Sequence, residues 1–231
     1  DRFWLNDGAG NFREASPEAV RSVAFASMGA DFADIDRDGY TDFFVVEMLS
    51  RDPSTRLMKS SSNNPMPPMP GGISKRLQVA RNTMFWNRGD GTFAEVGRYA
   101  GVEASDWSWQ PVFLDVDLDG YEDLLITNGH LHDVNDRDSQ SKFARVPKAK
   151  RSQVGQLMFP PNTTANVAYR NQGNFKFAET GQAWGFNSSQ MSHGIATGDL
   201  DNDGDQDLYV VNTVSQGKDG ANKLFLNDGS G

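Results

Sequence analysis

An all-β fold assembled from one repeated unit is predicted by three observations. An acidic loop, D-x-D-x-D-G-x-x-D, occurs three times, each time followed by an apolar run. A glycine turn opened by an asparagine occurs four times. The distance between the two motifs is constant: Asn6 to Asp34, Asn87 to Asp115 and Asn171 to Asp199 are each 28 residues apart.

The turn comes first in each unit. Trp4-Leu5-Asn6-Asp7-Gly8-Ala9-Gly10-Asn11-Phe12 reads as a short strand, a tight turn and a second strand. The pattern returns at Phe85–Phe93 and, less cleanly, at Tyr169–Phe177, and starts again at Phe225-Leu226-Asn227-Asp228-Gly229.

The acidic loop comes second. Its copies place Asp34, Asp36, Asp38 and Asp42 in the first unit, Asp115, Asp117, Asp119 and Asp123 in the second, and Asp199, Asp201, Asp203 and Asp207 in the third. Alternate carboxylates in a tight loop converge on one point, and the glycine permits the sharp bend. Such a loop, with a peptide carbonyl and water, supplies the 6–8 oxygens that Ca²⁺ takes, whereas Mg²⁺ demands a tighter octahedron and keeps its waters. The loop is not an EF-hand. That motif needs a bidentate Glu at position twelve, where this chain has Val45, Ile126 and Val210 inside strand-like runs. Four carboxylates this close would repel one another and raise their own pKa values without a cation.

The remaining spacing defines the unit. From the first loop aspartate to the next turn asparagine there are 53, 56 and 28 residues, so the bare unit is 56 residues long and the first two carry insertions of 25 and 28. A unit of that size, rich in short strands and turns, suits a four-stranded propeller blade. The expected architecture is an all-β β-propeller of four-stranded blades with calcium loops and two long loop insertions, occupying residues 1–231 as one region. Repeat one covers 1–50 with an insertion at 51–83, repeat two 84–130 with an insertion at 131–165, and repeat three 166–223, with a fourth begun at 224–231. Propellers close with about 4–8 blades. Three repeats are therefore expected to form a partial or larger propeller, its ring completed by further residues or chains.

The paired motifs resemble the FG-GAP/VCBS repeat family, the calcium-loop blades also seen in integrin α-subunits. Asn87–Phe93, Trp107-Ser108-Trp109 and Asp115–Gly129 are similar to bacterial secreted proteins of the cartilage-acidic-protein (ASPIC/UnbV-associated) type. The resemblance implies three Ca²⁺ sites. Loop positions one, three, five and nine would bind through side chains, and position seven (Tyr40, Tyr121 or Asp205) through its carbonyl. It also implies a secreted or cell-surface location in a bacterium, and roles in adhesion or matrix. The literal Phe-Gly…Gly-Ala-Pro signature is absent, and the integrin recognition role needs partner subunits, so it does not carry over.

Composition agrees. The formal charge of −9 becomes +3 without the twelve loop carboxylates and −3 with three bound Ca²⁺, so the acidity belongs mostly to the loops and does not point to a nucleic-acid partner. There is no cysteine, which excludes disulfides, thiolate metal sites and a cysteine nucleophile. No apolar run of about 18 residues is present to span a membrane.

Other residues compete for a functional role. Ser27, Ser108 and Ser192 fall in register seven residues before each loop and read as structural hydroxyls, while the next positions, Met28, Trp109 and His193, vary and read as blade-to-blade packing positions or as ligand-facing ones. The histidines His130, His132 and His193 are the acid–base candidates. The insertions, one with the Pro- and Ser-rich stretch Ser60–Gly72 and the other with Lys142, Arg145, Lys148, Lys150 and Arg151, are where a partner would bind. The expected function is a non-catalytic calcium-binding extracellular module for adhesion, ligand binding or assembly, its partner a protein or a glycan, with self-assembly an option. Two other readings stand beside it: a calcium-dependent polysaccharide lyase or sugar dehydratase using the histidines, and a subunit of an extracellular polymer.

Overall fold

The computed structural model describes residues 2–16, 18–59, 77–213 and 220–229. The chain opens with a hairpin, β1 (Trp4–Asn6) and β2 (Phe12–Glu14), turning at Gly8 and Gly10, both at positive φ. Strand β3 (Ser22–Ala24) follows, then β4 (Ala30–Ala33) and β5 (Asp42–Val45) on either side of the first acidic loop. The short helix α1 (Pro53–Met58) begins the first insertion, and β6 (Leu77–Val79) lies near its end. Strands β7 (Thr83–Asn87) and β8 (Phe93–Glu95) flank the second glycine turn, and α2 (Gly97–Ala100) follows. Strands β9 (Ser108–Leu114) and β10 (Asp123–Asn128) flank the second acidic loop. The second insertion contains α3 (Arg137–Ala144) and α4 (Arg151–Val154). Strands β11 (Val167–Asn171), β12 (Phe177–Glu179), β13 (Met191–Gly198), β14 (Asp207–Thr213) and β15 (Lys223–Phe225) complete the description.

These strands form antiparallel sheets ordered β4-β5-β7-β8, β9-β10-β11-β12 and β13-β14-β15, beside the β1-β2 hairpin and a parallel β3-β6 pair. The third sheet has three strands among the described residues. Each of the first two sheets joins the acidic-loop hairpin of one repeat to the glycine-turn hairpin of the next. Phe43 thus pairs with Phe85, and Leu124 with Tyr169, across the insertions.

Alternation along the second strands binds one sheet to the next. On β10, Leu124 and Ile126 pack with Phe44, Val46 and Met84 of the first sheet, while Leu125 packs with Ile195, Leu208 and Val210 of the third. Every residue of β10 is buried, so this strand is covered on both faces. Full burial of each such side chain contributes about 1.5–3 kcal/mol. The loop-entering strands β4, β9 and β13 lie side by side. Asp31 on β4 accepts from the Phe113 N–H at 2.7 Å, and Gln110 on β9 accepts from the Ile195 N–H at 3.2 Å.

The insertions differ from the loops expected. Both carry helices started by aspartate caps: Asp52, followed by Pro53, accepts from Ser54 N–H at 2.9 Å, and Asp136 accepts from Ser139 N–H at 2.7 Å. The two insertions are also tied together, since Lys59 lies 3.1 Å from Asp133 and its backbone pairs with Asp136. The stretch Ser60–Gly72 lies outside the described residues. Among the described residues no helix is long and apolar enough to cross a membrane.

Candidate metal centres

The three acidic loops share one backbone path. Position four is left-handed in each (Arg37 φ 62°, Leu118 φ 54°, Asn202 φ 64°), and so is the position-six glycine (Gly39, Gly120 and Gly204, φ 88–101°). Two left-handed residues two apart curl the chain around its own carboxylates. Asp34 accepts from the N–H groups of Asp38 and Gly39 at 3.0 and 2.9 Å, and Asp115 from Gly120 N–H at 2.8 Å. The N–H groups of Tyr40 and Tyr121 donate to Asp38 and Asp119 at 2.9 and 3.0 Å.

Carboxylate oxygens gather as a result. Asp34, Asp36 and Asp42 each bring one within 4.8 Å of the others, as do Asp115, Asp117 and Asp123, and Asp199, Asp201 and Asp203. These three clusters could hold metal ions. Oxygens bonded to one Ca²⁺ at 2.3–2.6 Å lie at most about 5 Å apart, so the spacing fits. The donor set is all oxygen, as a hard cation requires.

Several oxygens inside the loops have no partner among the described residues. Asp36 Oδ1, Asp115 Oδ1, Asp117 Oδ1 and Asp205 Oδ1 are buried and meet no hydrogen-bond donor among the described residues. Burial pushes the Asp42 and Asp123 carboxyls up to about 7, against the backbone N–H bonds that lower them. Asp36 and Asp201 are raised by burial and by the neighbouring charges of Asp38 and Asp203. A cation would relieve both the crowding and the orphaned oxygens.

Position nine has a second task. Asp42 accepts from Ile35 N–H at 3.1 Å with one oxygen and from the turn residue Asn87 N–H at 2.7 Å with the other. Asp123 does the same with Val116 and Asn171 at 3.0 and 2.8 Å, and Asp207 with Leu200 and Asn227 at 2.8 and 2.9 Å. The glycine turn therefore latches the acidic loop of its own sheet. The latch also reaches the neighbouring sheet: Asn171 Nδ2 donates to Ile35 C=O and Asn227 Nδ2 to Val116 C=O, both at 3.0 Å. Asn171→Ala would strand the carbonyls of Ile35 and Glu122 and the N–H of Gly173. It is expected to cost about 2–4 kcal/mol, a fall of roughly 5–15 °C in Tm by thermal melting.

The third loop differs from the first two. Its cluster contains Asp203 in place of the position-nine Asp207, and its members are exposed. Position seven is Asp205, a residue 6% exposed whose carboxyl is pushed up to about 6 by burial and by Asp203 beside it. This extra carboxylate was expected only as a carbonyl donor. Its acidic side chain, where the other loops have tyrosine, was the available signal.

The register serines are structural. Ser108 and Ser192 are fully buried; Ser108 donates to Ser105 C=O at 3.1 Å, and Ser192 shares a 2.6 Å bond with Asn212. Ser27 lies 3.5 Å from Ala24 C=O. The histidines divide. His132 is buried in the second insertion with Nδ1 3.0 Å from Phe159 C=O. His130 stacks on Trp107 at 4.3 Å and His193 meets the Trp109 edge at 4.7 Å. Burial and the charge of His130 lower the His193 pKa.

Comparison with known families bears directly on this repeated geometry. The profile of the FG-GAP-like repeat matches residues 1–45, 76–126 and 157–210. The chain belongs to the FG-GAP-like repeat family. Each FG-GAP-like match contains one glycine turn and one acidic loop and ends in or just beyond the strand leaving that loop. The unmatched residues 46–75 and 127–156 fall mostly within the two insertions. No curated protein matches the chain.

Proposed function

We propose that the chain is a calcium-stabilised, non-catalytic extracellular propeller module whose insertions present the binding surface for a protein or glycan. The observation carrying this reading is the set of buried loop oxygens without donors among the described residues, on Asp36, Asp115, Asp117 and Asp205. An unpaired buried carboxylate is costly, and a hard cation is the partner that its geometry accepts. Asp34, Asp36, Asp38 and Asp42 would hold one ion, Asp115, Asp117, Asp119 and Asp123 a second, and Asp199, Asp201, Asp203, Asp205 and Asp207 a third. Bound ions would neutralise each loop and pin it to the latch of its sheet. Binding to the folded chain alone stabilises it by mass action.

The surface assignment rests on how the insertions are held. Arg51 bonds Asp106 at 2.8 Å and Glu179 at 2.6 Å, and Lys59 and Asp133 pair where both are largely buried. A fixed scaffold thereby displays exposed Lys142, Arg145, Lys148 and Lys150, in a stretch with no Asp or Glu between Asp138 and Glu179. That charge, opposite in sign to the whole chain, favours an anionic partner. Two of the three histidines are engaged in structure, His132 by burial and His130 by its 2.7 Å contact with the His132 carbonyl, which supports the non-catalytic reading.

Calorimetric titration of Ca²⁺ into metal-stripped protein tests the reading. Binding at the loops is expected, reduced by one site in Asp36→Ala and by a different site in Asp117→Ala. Absence of calcium heat in the wild type, or unchanged stoichiometry in both variants, would refute it.

A further inference from the structure

The three acidic loops are alike in backbone but not in the charge around them, and this inference rests on their reading as calcium sites. In the second sheet the residue preceding the turn asparagine is Arg170. Its Nε lies 2.5 Å from Asp117 Oδ2 and its Nη2 3.0 Å from Asp119 Oδ2. The guanidinium thus bridges positions three and five of the second loop, while the buried Oδ1 atoms of Asp115 and Asp117 have no donor among the described residues.

A second arginine arrives from the neighbouring loop. Arg37, at position four of the first loop, lies over the Tyr121 ring at 5.3 Å. Its guanidinium also packs against the Cα side of Gly120, where any side chain would collide with it. The third loop is the internal comparison. The residue preceding its turn asparagine is Leu226, and position four of the loop before it is Leu118, which packs against Gly229. Where the third loop has two leucines, the second has two arginines. In the first sheet the position of Arg170 is held by Trp86.

We propose that Arg170 is a built-in counter-cation that makes the second loop the weakest calcium site of the three and lets that loop keep its shape without calcium. The physics has two parts. A fixed positive charge pairing Asp117 and Asp119 relieves carboxylate repulsion in the empty loop. The same charge, a few ångströms from where a divalent ion would sit, repels that ion. At a well-solvated surface this repulsion corresponds to roughly ten- to a hundredfold in affinity. The module would then carry two calcium sites that govern folding and one that responds to higher calcium.

Calorimetric calcium titrations of metal-stripped wild type, Arg170→Leu and Arg170→Lys test this, with melting curves in chelator for each. The wild type should show two tighter sites and one weaker. Arg170→Leu, which copies the third sheet, should tighten the weak site by roughly ten- to a hundredfold and lower the calcium-free Tm. Arg170→Lys keeps the charge and should keep the weak site. Three sites of one affinity in the wild type would overturn the proposal. So would a second site unchanged or weakened in Arg170→Leu, or the same affinity in the Leu and Lys variants. No calcium heat in the wild type would instead overturn the calcium reading of the loops, and the proposal with it.

Discussion

Metal-stripped protein at neutral pH is expected to melt roughly 10–30 °C below the calcium-loaded form. A ligand at a hundred times its Kd adds about 2.7 kcal/mol per site, so two or three filled loops add about 5–8 kcal/mol. For a chain of this length each kcal/mol moves Tm by about 2–4 °C. That sum rivals the whole stability of a typical domain, so the calcium-free chain should be close to unfolding at physiological temperature. The cause lies inside the loops. Asp36 and Asp117 each bury an oxygen that no group among the described residues satisfies, and a bound ion would supply the partner. Scanning calorimetry with excess calcium and with chelator measures the difference. Asp36→Ala should lower Tm in calcium far more than in chelator. Equal melting temperatures in calcium and chelator would mean that the loops are held by the latches alone.

The loops were legible because their four aspartates lie within nine residues, and the glycine and alternate aspartates encode the bend locally. The strand pairings were not. The sheet takes its third and fourth strands from the next repeat, so the bond from Asn87 to Asp42 spans 45 residues and that from Asn171 to Asp123 spans 48. The constant Asn-to-Asp spacing pointed instead to the turn preceding each loop, whereas the latch joins each loop to the turn that follows it, at 45, 48 and 20 residues. Arg170 escaped for the same reason: it is 51 residues from Asp119, and nothing local marks it. The insertion helices did leave a local signal, the caps Asp52-Pro53 and Asp136, which the Pro- and Ser-rich run at Ser60–Gly72 overshadowed. Asp205 also stood in plain view. Assigning position seven to its carbonyl hid a carboxylate that folds inward.

The calcium-free protein should also be more stable at pH 5 than at pH 7.5, the reverse of the calcium-loaded form. Asp42 and Asp123 titrate near 7 when folded and near 3.8 when unfolded, because burial penalises their charge. Between about pH 4 and 7 the folded chain therefore binds more protons than the unfolded one, and stability falls as pH rises. The contribution is fully present below the unfolded value and gone above about 7. Glu47, buried and raised in the same way, adds to it. His193, lowered by burial, opposes it near its ordinary value as a single group. Asp52, held at about 2 by Ser54 and Thr55, acts outside this window, losing its stabilising effect only as pH drops from 4 towards 2. Two carboxylates shifted this far amount to several kcal/mol together. Calcium inverts the sign, since the ion needs the charged form and protons compete with it. Melting curves of stripped and calcium-loaded protein at pH 5 and 7.5 should therefore cross. Parallel curves, each rising with pH, would show that Asp42 and Asp123 are ionised at neutral pH without metal, and that the latch N–H groups outweigh burial.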